Sequence, residues 1–508
     1  MTSTTTATEF APAGRLSARD RKIITTLLVA AFVVILNETI MGVALPRLMV
    51  ELDLDANTVQ WLSTAFMLTM GVVIPTTGFL LQRLTTRTVF VLALSLFCAG
   101  TALAAVAPGF WILLLGRIIQ ASGTAVMLPL LMTTILNLVP IERRGVVIGN
   151  ISIAISVAPA IGPTVSGLVL QYLSWRFMFI VVLPIALAAL IYGAKTLINV
   201  GQPGEQKLDV ASVILTVPAF GGIVFGLSRF SEGGSGLGVA LTSLAVGIVS
   251  LIVFGLRQRR LADGGSPLLD LRAFDFGMFR LAVLVLCIAM VALFGSVILL
   301  PIYLQNIRGL SSLQTGLLLL PGGVLMGVLG PVVGRLLDRY GPPVLAAGGA
   351  ALLTATLWGF STVDAGTPVW LLLIMHMATM ASLAGLFTPA FTTGLNPLPP
   401  RLYSHGSAIL TTLQQVAGAA GTALLVMIMA ARASTLTASG APEDLALNGG
   451  IALAFVVAAV IAAPAIVAAA FLRNPKPATH AAGASPEAHA SAGEPGPVFS
   501  QPTKTQNG

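Results

Sequence analysis

The sequence predicts an all-α polytopic membrane protein with fourteen transmembrane helices, and three observations carry that prediction. The chain has 508 residues, 56% hydrophobic and only 9% charged, whereas a soluble globular domain carries about a quarter of its residues as charges. It divides into fourteen mostly apolar stretches, each near the length of about 20 residues that a helix needs to cross a bilayer. With the N-terminus placed inside, 21 of the 27 Lys and Arg fall on the inner side, 5 on the outer side, and Arg117 within a span. A missed or invented helix would scramble that asymmetry. The excess of 27 basic over 19 acidic residues is therefore topological, and nucleic acid is not an expected partner.

In chain order, residues 1–22 are polar and end in Arg19, Arg21 and Lys22, which marks a cytoplasmic N-terminal segment. The apolar run 23–45 is too long for a signal-peptide core and lacks a small-residue cleavage site, so it is a retained first span. Spans 59–81, 88–107, 111–138, 145–170 and 177–199 complete a first group of six over 23–199. Two further spans, 209–229 and 238–256, lie in 200–256. The loop 257–279, with "RQRRLADGGSPLLDLRAFDF", is the longest inner connection and is expected to be a basic anchor with a short amphipathic stretch. Spans 280–303, 312–334, 342–361, 369–393, 405–430 and 450–472 form a second group of six over 280–472. Residues 473–508, rich in Pro, Ala, Ser and Gly without an apolar run, read as a disordered cytoplasmic tail. Cys98 and Cys287 lie in distant apolar segments and offer neither a disulfide framework nor a metal-ligand cluster.

An internal repeat supports this grouping. Gly71, Pro75, Gly78, Leu80 and Arg83 in "GVVIPTTGFLLQRL" align with Gly327, Pro331, Gly334, Leu336 and Arg339 in "GVLGPVVGRLLDRY" at a constant offset of 256. Both stretches end in inner loops, so an even number of crossings separates them, and the segment count supplies eight. The simplest architecture is two six-helix halves with two helices inserted between them. Transporters use parallel repeats of this kind to build a central site between halves that rock against each other.

Four motifs make the chain resemble the major facilitator superfamily, specifically its fourteen-helix drug:proton antiporter branch of multidrug efflux permeases. A first-span signature appears as "LNETIMGVALP", with Asn37 where the family has Asp and the carboxylate one position later at Glu38. The loop motif appears as "GFLLQRLTTR", keeping Gly78, Arg83 and Arg87 but with Gln82 in place of the acid. Its second copy, "GRLLDRYG", keeps Gly334, Asp338 and Arg339. The fourth-span motif appears as "RIIQASG", with Arg117 and Gln120. The fifth-span antiporter motif runs from Gly149 to Gly167 with Gly162 and Pro163 intact, Ala158 and Ser166 replacing two glycines. The same small residues also form a helix-packing face. The resemblance covers nearly the whole chain except the termini. It implies a major-facilitator fold, proton-coupled export by alternating access, a role for Arg117 in proton transfer, gating roles for the loop and fifth-span motifs, and a monomer. The loss of the acid at Gln82 removes the charge from any gating ion pair there.

Ionisable residues inside a span cost at least ~2.5 to 3.5 kcal/mol on insertion scales, so each is by default a functional candidate with a partner to be found. The spans hold three: Glu38, Arg117 and His376. Glu38 is the expected proton-coupling acid, with proton and drug competing for it; the alternative is a structural hydrogen bond between helices. Arg117 stays charged and must face a carboxylate, backbone carbonyls or a wet cavity; the alternative is a brace for the fourth helix. His376 is a candidate second proton site or a hydrogen-bonded packing residue. Asn37, Glu38, Gln120, Asn150, Gln314 and Gln414 are candidate cavity-lining residues. The sequence contains no phosphate-binding loop, metal cluster, nucleophile–base pair or soluble domain large enough for a nucleotide, so no enzyme and no cofactor are expected, and the proton gradient is the energy source. The expected function is proton-coupled efflux of lipophilic, cationic or neutral, small molecules across the cytoplasmic membrane of a bacterium, with both termini inside. The partners are small-molecule substrates and membrane lipids. Two other readings stay open: a dedicated exporter of one endogenous metabolite, antibiotic or lipid, and a non-transporting receptor or scaffold on the same fold.

Overall fold

The computed structural model describes residues 17–54, 56–200, 209–230, 236–264 and 267–473; the expected disordered tail and most of the N-terminal segment lie outside them. Among the described residues every regular element is helical. Helix α1 (Ala18–Glu51) starts five residues earlier than its apolar core, because Ser17 accepts the Asp20 N–H at 3.0 Å as an N-cap, satisfying an orphan donor of the helix end, and the Asp20 carboxylate in the first turn complements the helix dipole. Helices α2 (Ala56–Arg83), α3 (Thr86–Ala105), α4 (Phe110–Leu138), α5 (Arg144–Tyr172) and α6 (Arg176–Thr196) follow. The expected span 209–229 is broken into α7 (Val210–Thr216), a π turn over Val217–Gly221 and α8 (Gly222–Phe230). Pro218 lies within the π turn and cannot donate to a regular helical ladder.

Helix α9 (Leu237–Asp263) continues through the basic residues assigned to the long inner loop, and a short 3₁₀ turn, Leu271–Asp275, precedes α10 (Gly277–Ile302). The loop is therefore shorter than expected, because Arg257 to Asp263 keep helical geometry beyond the apolar core. The second half continues with α11 (Ser312–Tyr340), α12 (Pro342–Phe360), α13 (Val369–Leu395), α14 (Tyr403–Ala438), α15 (Glu443–Ala462) and α16 (Pro464–Ala470). Gly341, at φ +81°, ends α11, and Pro342 opens α12, the usual distribution of glycine and proline at helix ends. Thirteen described segments are long and apolar enough to cross a membrane; α5, 29 residues long, occupies the remaining expected span, 145–170.

Within the first half α1 packs on α5 and α6, α2 on α4, and α3 on α4 and α6; within the second, α10 packs on α13 and α14, α11 on α13, and α12 on α13. The halves meet chiefly through two pairs, α5 on α11 and α2 on α14, with lesser contact between α4 and α14 and between α5 and α13. The repeat exchanges α2 with α11 and α5 with α14, so these two pairs are equivalents of each other. The inserted helices touch both sides of the seam: α8 packs on α2 and on α14. At the end that carries the basic loops, hereafter the basic end, Arg257 donates twice to Asp209, both at 2.8 Å. Gln258 donates to Ser212 at 2.7 Å and accepts the Leu269 N–H at 3.1 Å. The Arg257 hydrogen bonds hold the Asp209 carboxyl down at about 2. A depressed carboxylate contributes stability above its ordinary titration range and loses it only as pH falls towards 2. Asp209→Asn is therefore expected to lower the unfolding free energy of the purified protein by less than about 1 kcal/mol, by the same amount at every pH between 5 and 8.

Candidate functional site

Helices α1 and α4 run antiparallel, so Glu38, past the middle of α1, and Arg117, in the first third of α4, lie at similar depth towards the end remote from the basic loops. The two opposite charges interact electrostatically. Glu38 keeps partial exposure, whereas Arg117 is 1% exposed. The guanidinium lies 4.0 Å above the ring of Phe66 on α2 and its Nη1 donates to Gln120 Oε1 at 2.6 Å. Gln120 Nε2 in turn donates to Thr101 on α3 at 2.7 Å, and the Thr101 hydroxyl donates to the Phe97 carbonyl at 2.7 Å. Arg117 Nε has no partner. A permanent cation is thus fixed by one edge through a chain of hydrogen bonds, with a face on an aromatic ring and capacity left over for a nearby anion. Glu38 on α1 is the acid whose charge acts on it, and its side chain is partly exposed.

This geometry corrects the assignment of Gln120 to a substrate cavity. Gln120 is fully buried and both ends of its amide are used, so its place is between α3 and α4, holding Arg117. Gln120→Leu removes the hydrogen-bond acceptor of the Arg117 Nη1, at a cost of about 1–3 kcal/mol; the expected result is a lower melting temperature and roughly tenfold slower export at equal membrane abundance. Gln314 is also corrected. It is exposed at the start of α11 and forms a capping box with Ser311: Gln314 N–H donates to Ser311 Oγ at 3.2 Å, and Ser311 N–H donates to Gln314 Oε1 at 2.9 Å. Asn37 is buried with Nδ2 unpartnered. Asn150 is half-buried on α5 and Gln414 buried on α14, both on helices that face the seam.

His376 is not joined to this site. It lies on α13, the helix that corresponds to α4 in the second half, and its Nε2–H donates to the Leu319 carbonyl at 3.1 Å. A Cβ on Gly322 would approach Nε2 to 2.5 Å, so the ring is packed against α11 as Arg117 is against α2. The first-span stretch "VALP" ends at Pro46 and its counterpart "ILLP" in α10 ends at Pro301, an offset of 255 that sets Leu293 at the place of Glu38, so the second half lacks the acid there. An apolar groove of about 90 Å³ between α2, α3 and α4, lined by Val73, Leu80, Leu92 and Val126 among others, contains neither Glu38 nor Arg117 in its lining. With Leu92 at 45% exposure, it is a lipid-facing cleft.

Both copies of the loop motif, together with Gly149, sit at the seam on the basic end. A Cβ on Gly78 would lie 2.7 Å from Nδ1 of His405 on α14, and Gln82 Nε2 donates to the Arg401 carbonyl at 2.7 Å just before that helix. The amide therefore crosses the seam without the charge that the acid would bring. In the repeat-equivalent place, Asp338 accepts the Val146 N–H at the start of α5, and a Cβ on Gly334 would meet the Gly145 carbonyl carbon at 2.8 Å. Gly149 faces the Gly330 backbone in the same way, again at 2.8 Å for a Cβ. Gly162 instead faces Thr39 of α1 within the first half, and a Cβ on Gly167 would meet nothing, so the fifth-span motif serves two different packings and Gly167 serves neither. The side chain of Pro163 lies outside the described residues. Arg83 and Arg87 are exposed at the α2–α3 turn, and Arg339 lies over the ring of Tyr340 at 5.3 Å.

Two six-helix repeats joined by an inserted pair, with an intramembrane acid and cation in one half and a seam between the halves, define a multi-pass membrane transporter rather than an enzyme. The chain belongs to the Major Facilitator Superfamily, whose family profile matches residues 27–422. It is 43% identical over 462 residues to the lincomycin resistance protein LmrB of Bacillus subtilis, covering 89% of this chain and 96% of that protein. It is 28% identical over 402 residues to a multidrug resistance protein B homolog of Mycobacterium tuberculosis, covering 77% of this chain and 73% of that one. The crystal structure of the human organic anion transporter MFSD10 shares the fold, with a TM-score of 0.61 at 15% identity over 89% of this chain and all of that one.

Proposed function

We propose that the protein exports lipophilic, cationic or neutral, small molecules in exchange for protons by alternating access, with the basic end and both termini at the cytoplasmic face. The observation that carries this reading is the partly exposed Glu38 held in the field of a buried, hydrogen-bonded Arg117. A group that gains and loses a proton next to a fixed cation changes the local charge balance, and a rocking motion that alters their separation links protonation to conformation. Similarity to proteins named for lincomycin resistance and multidrug resistance supports drugs as the cargo class.

The test is reconstitution into vesicles with an imposed pH gradient and a panel of chemically unrelated dyes and antibiotics. Substrate movement that collapses with a protonophore supports antiport; movement of neither substrate nor protons refutes it. Competition among unrelated compounds supports broad export. The narrower reading, one dedicated cargo, draws on relatives named for a single antibiotic, and predicts that unrelated dyes do not compete.

A further inference from the structure

The seam on the basic end contains a cation that the sequence marks only as a topological anchor. Arg144, the first residue of α5, is 4% exposed, although basic residues flanking a span ordinarily reach the aqueous face. Its guanidinium makes four hydrogen bonds. Two stay within the first half, to the Leu136 carbonyl at 2.7 Å and the Val139 carbonyl at 3.1 Å, where a cation complements the C-terminal end of α4. The other two cross the seam, to Asn396 Oδ1 at the end of α13 and to the Tyr403 hydroxyl at the start of α14, each at 3.1 Å. The ring of Tyr403 also lies 5.1 Å from the guanidinium carbon.

We infer that Arg144 is a positioning residue, a latch that holds the cytoplasmic end closed by bridging the first half to Asn396 and Tyr403 of the second. The argument is one of differential contact. Rocking of the halves leaves the α4 carbonyls beside Arg144 in both states, so those two bonds keep the side chain poised but bias neither state. The bonds to Asn396 and Tyr403 exist only when the basic end is shut, and only interactions that differ between states move the equilibrium. Because arginine remains charged at any working pH, the latch holds independently of protonation. It releases only when another part of the molecule drives the halves apart, as Glu38 would on changing its charge. The planar fork of arginine serves the two sides at once, a task that the single ammonium of lysine does not reproduce.

This inference rests on the alternating-access reading, and the test separates the two. In a background with Cys98 and Cys287 replaced by alanine, Ser407→Cys supplies a reporter, because Ser407 is 1% exposed and its hydroxyl reaches the Pro129 carbonyl across the seam at 3.4 Å. Inside-out vesicles are treated with a membrane-impermeant maleimide. Tyr403→Phe, which keeps the ring and removes only the hydroxyl, and Asn396→Ala are each expected to raise the labelling rate about tenfold, the effect of losing one hydrogen bond to a charged group. Arg144→Lys is expected to do the same, and these mild variants stand in for Arg144→Ala should that fail to fold. Gly149→Ala serves as an independent opener of the seam. If it raises labelling while Tyr403→Phe and Asn396→Ala leave it unchanged, the latch is overturned and alternating access survives. If no variant raises labelling, the rocking itself is refuted.

Discussion

Glu38→Gln is expected to reduce export driven by an imposed pH gradient to the background of empty vesicles, while leaving exchange of labelled for unlabelled substrate, without any gradient, within about threefold of wild type. Glutamine matches glutamic acid in size and can both donate and accept hydrogen bonds, so a purely structural bond between helices would survive the change. It cannot release a proton. The split between lost coupling and retained exchange therefore isolates titration from architecture, which loss of transport alone would not do. Unchanged pH-driven export would remove Glu38 from the coupling mechanism, and no other acid is available deep in the spans to replace it. The effect is expected to be large because a buried cation stands beside it: with an amide in place of the carboxyl, Arg117 faces the same neutral partner in every step, and the charge balance that links proton to conformation no longer changes.

Gly149→Ala is expected to slow export about tenfold or more and to favour the state open at the basic end. An added Cβ would lie 2.8 Å from the Gly330 carbonyl carbon, and the clash is with backbone of the opposite half, which cannot rotate away. Overpacking of this kind costs about 1–3 kcal/mol, and here the penalty falls only on the closed seam, so it shifts the balance between states. The neighbouring motif glycines make a graded control. Gly162→Ala meets the Thr39 side chain, with Cβ to Cβ at 3.0 Å, inside one half, so it is expected to lower thermal stability with little bias between states. Gly167→Ala meets nothing and is expected to be silent. Equal effects from all three in parallel efflux and labelling assays would show that the motif acts through general helix flexibility.

The contrast among these glycines shows where sequence reasoning reached its limit. The motif register marked Gly149, Gly162 and Gly167 alike, because a sequence records spacing but not which face of a helix meets which neighbour. The same limit misplaced Gln120 and Gln314. A polar residue in an apolar span is legible as unusual, but whether it lines a cavity, caps a helix or holds an arginine depends on groups from other helices, such as Thr101 on α3. Phe66 and Arg144 carried no signal at all: one is an ordinary apolar residue in a span, the other an ordinary basic residue beside one.

What the sequence by itself determined was the class of the protein, its span count, its two-fold repeat and the identity of its intramembrane ionisable residues. A bilayer makes those properties local, since each helix must satisfy its own backbone and present about 20 apolar residues whatever its neighbours do. Only the tertiary structure decided that Glu38, displaced by one position from the family's acid, is still within electrostatic reach of Arg117, that His376 stands apart in the other half, and that Arg144 is buried across the seam. Those outcomes depend on how helices distant in the chain turn towards one another. That is set by packing between small residues and by a few hydrogen bonds, none of which a linear pattern specifies.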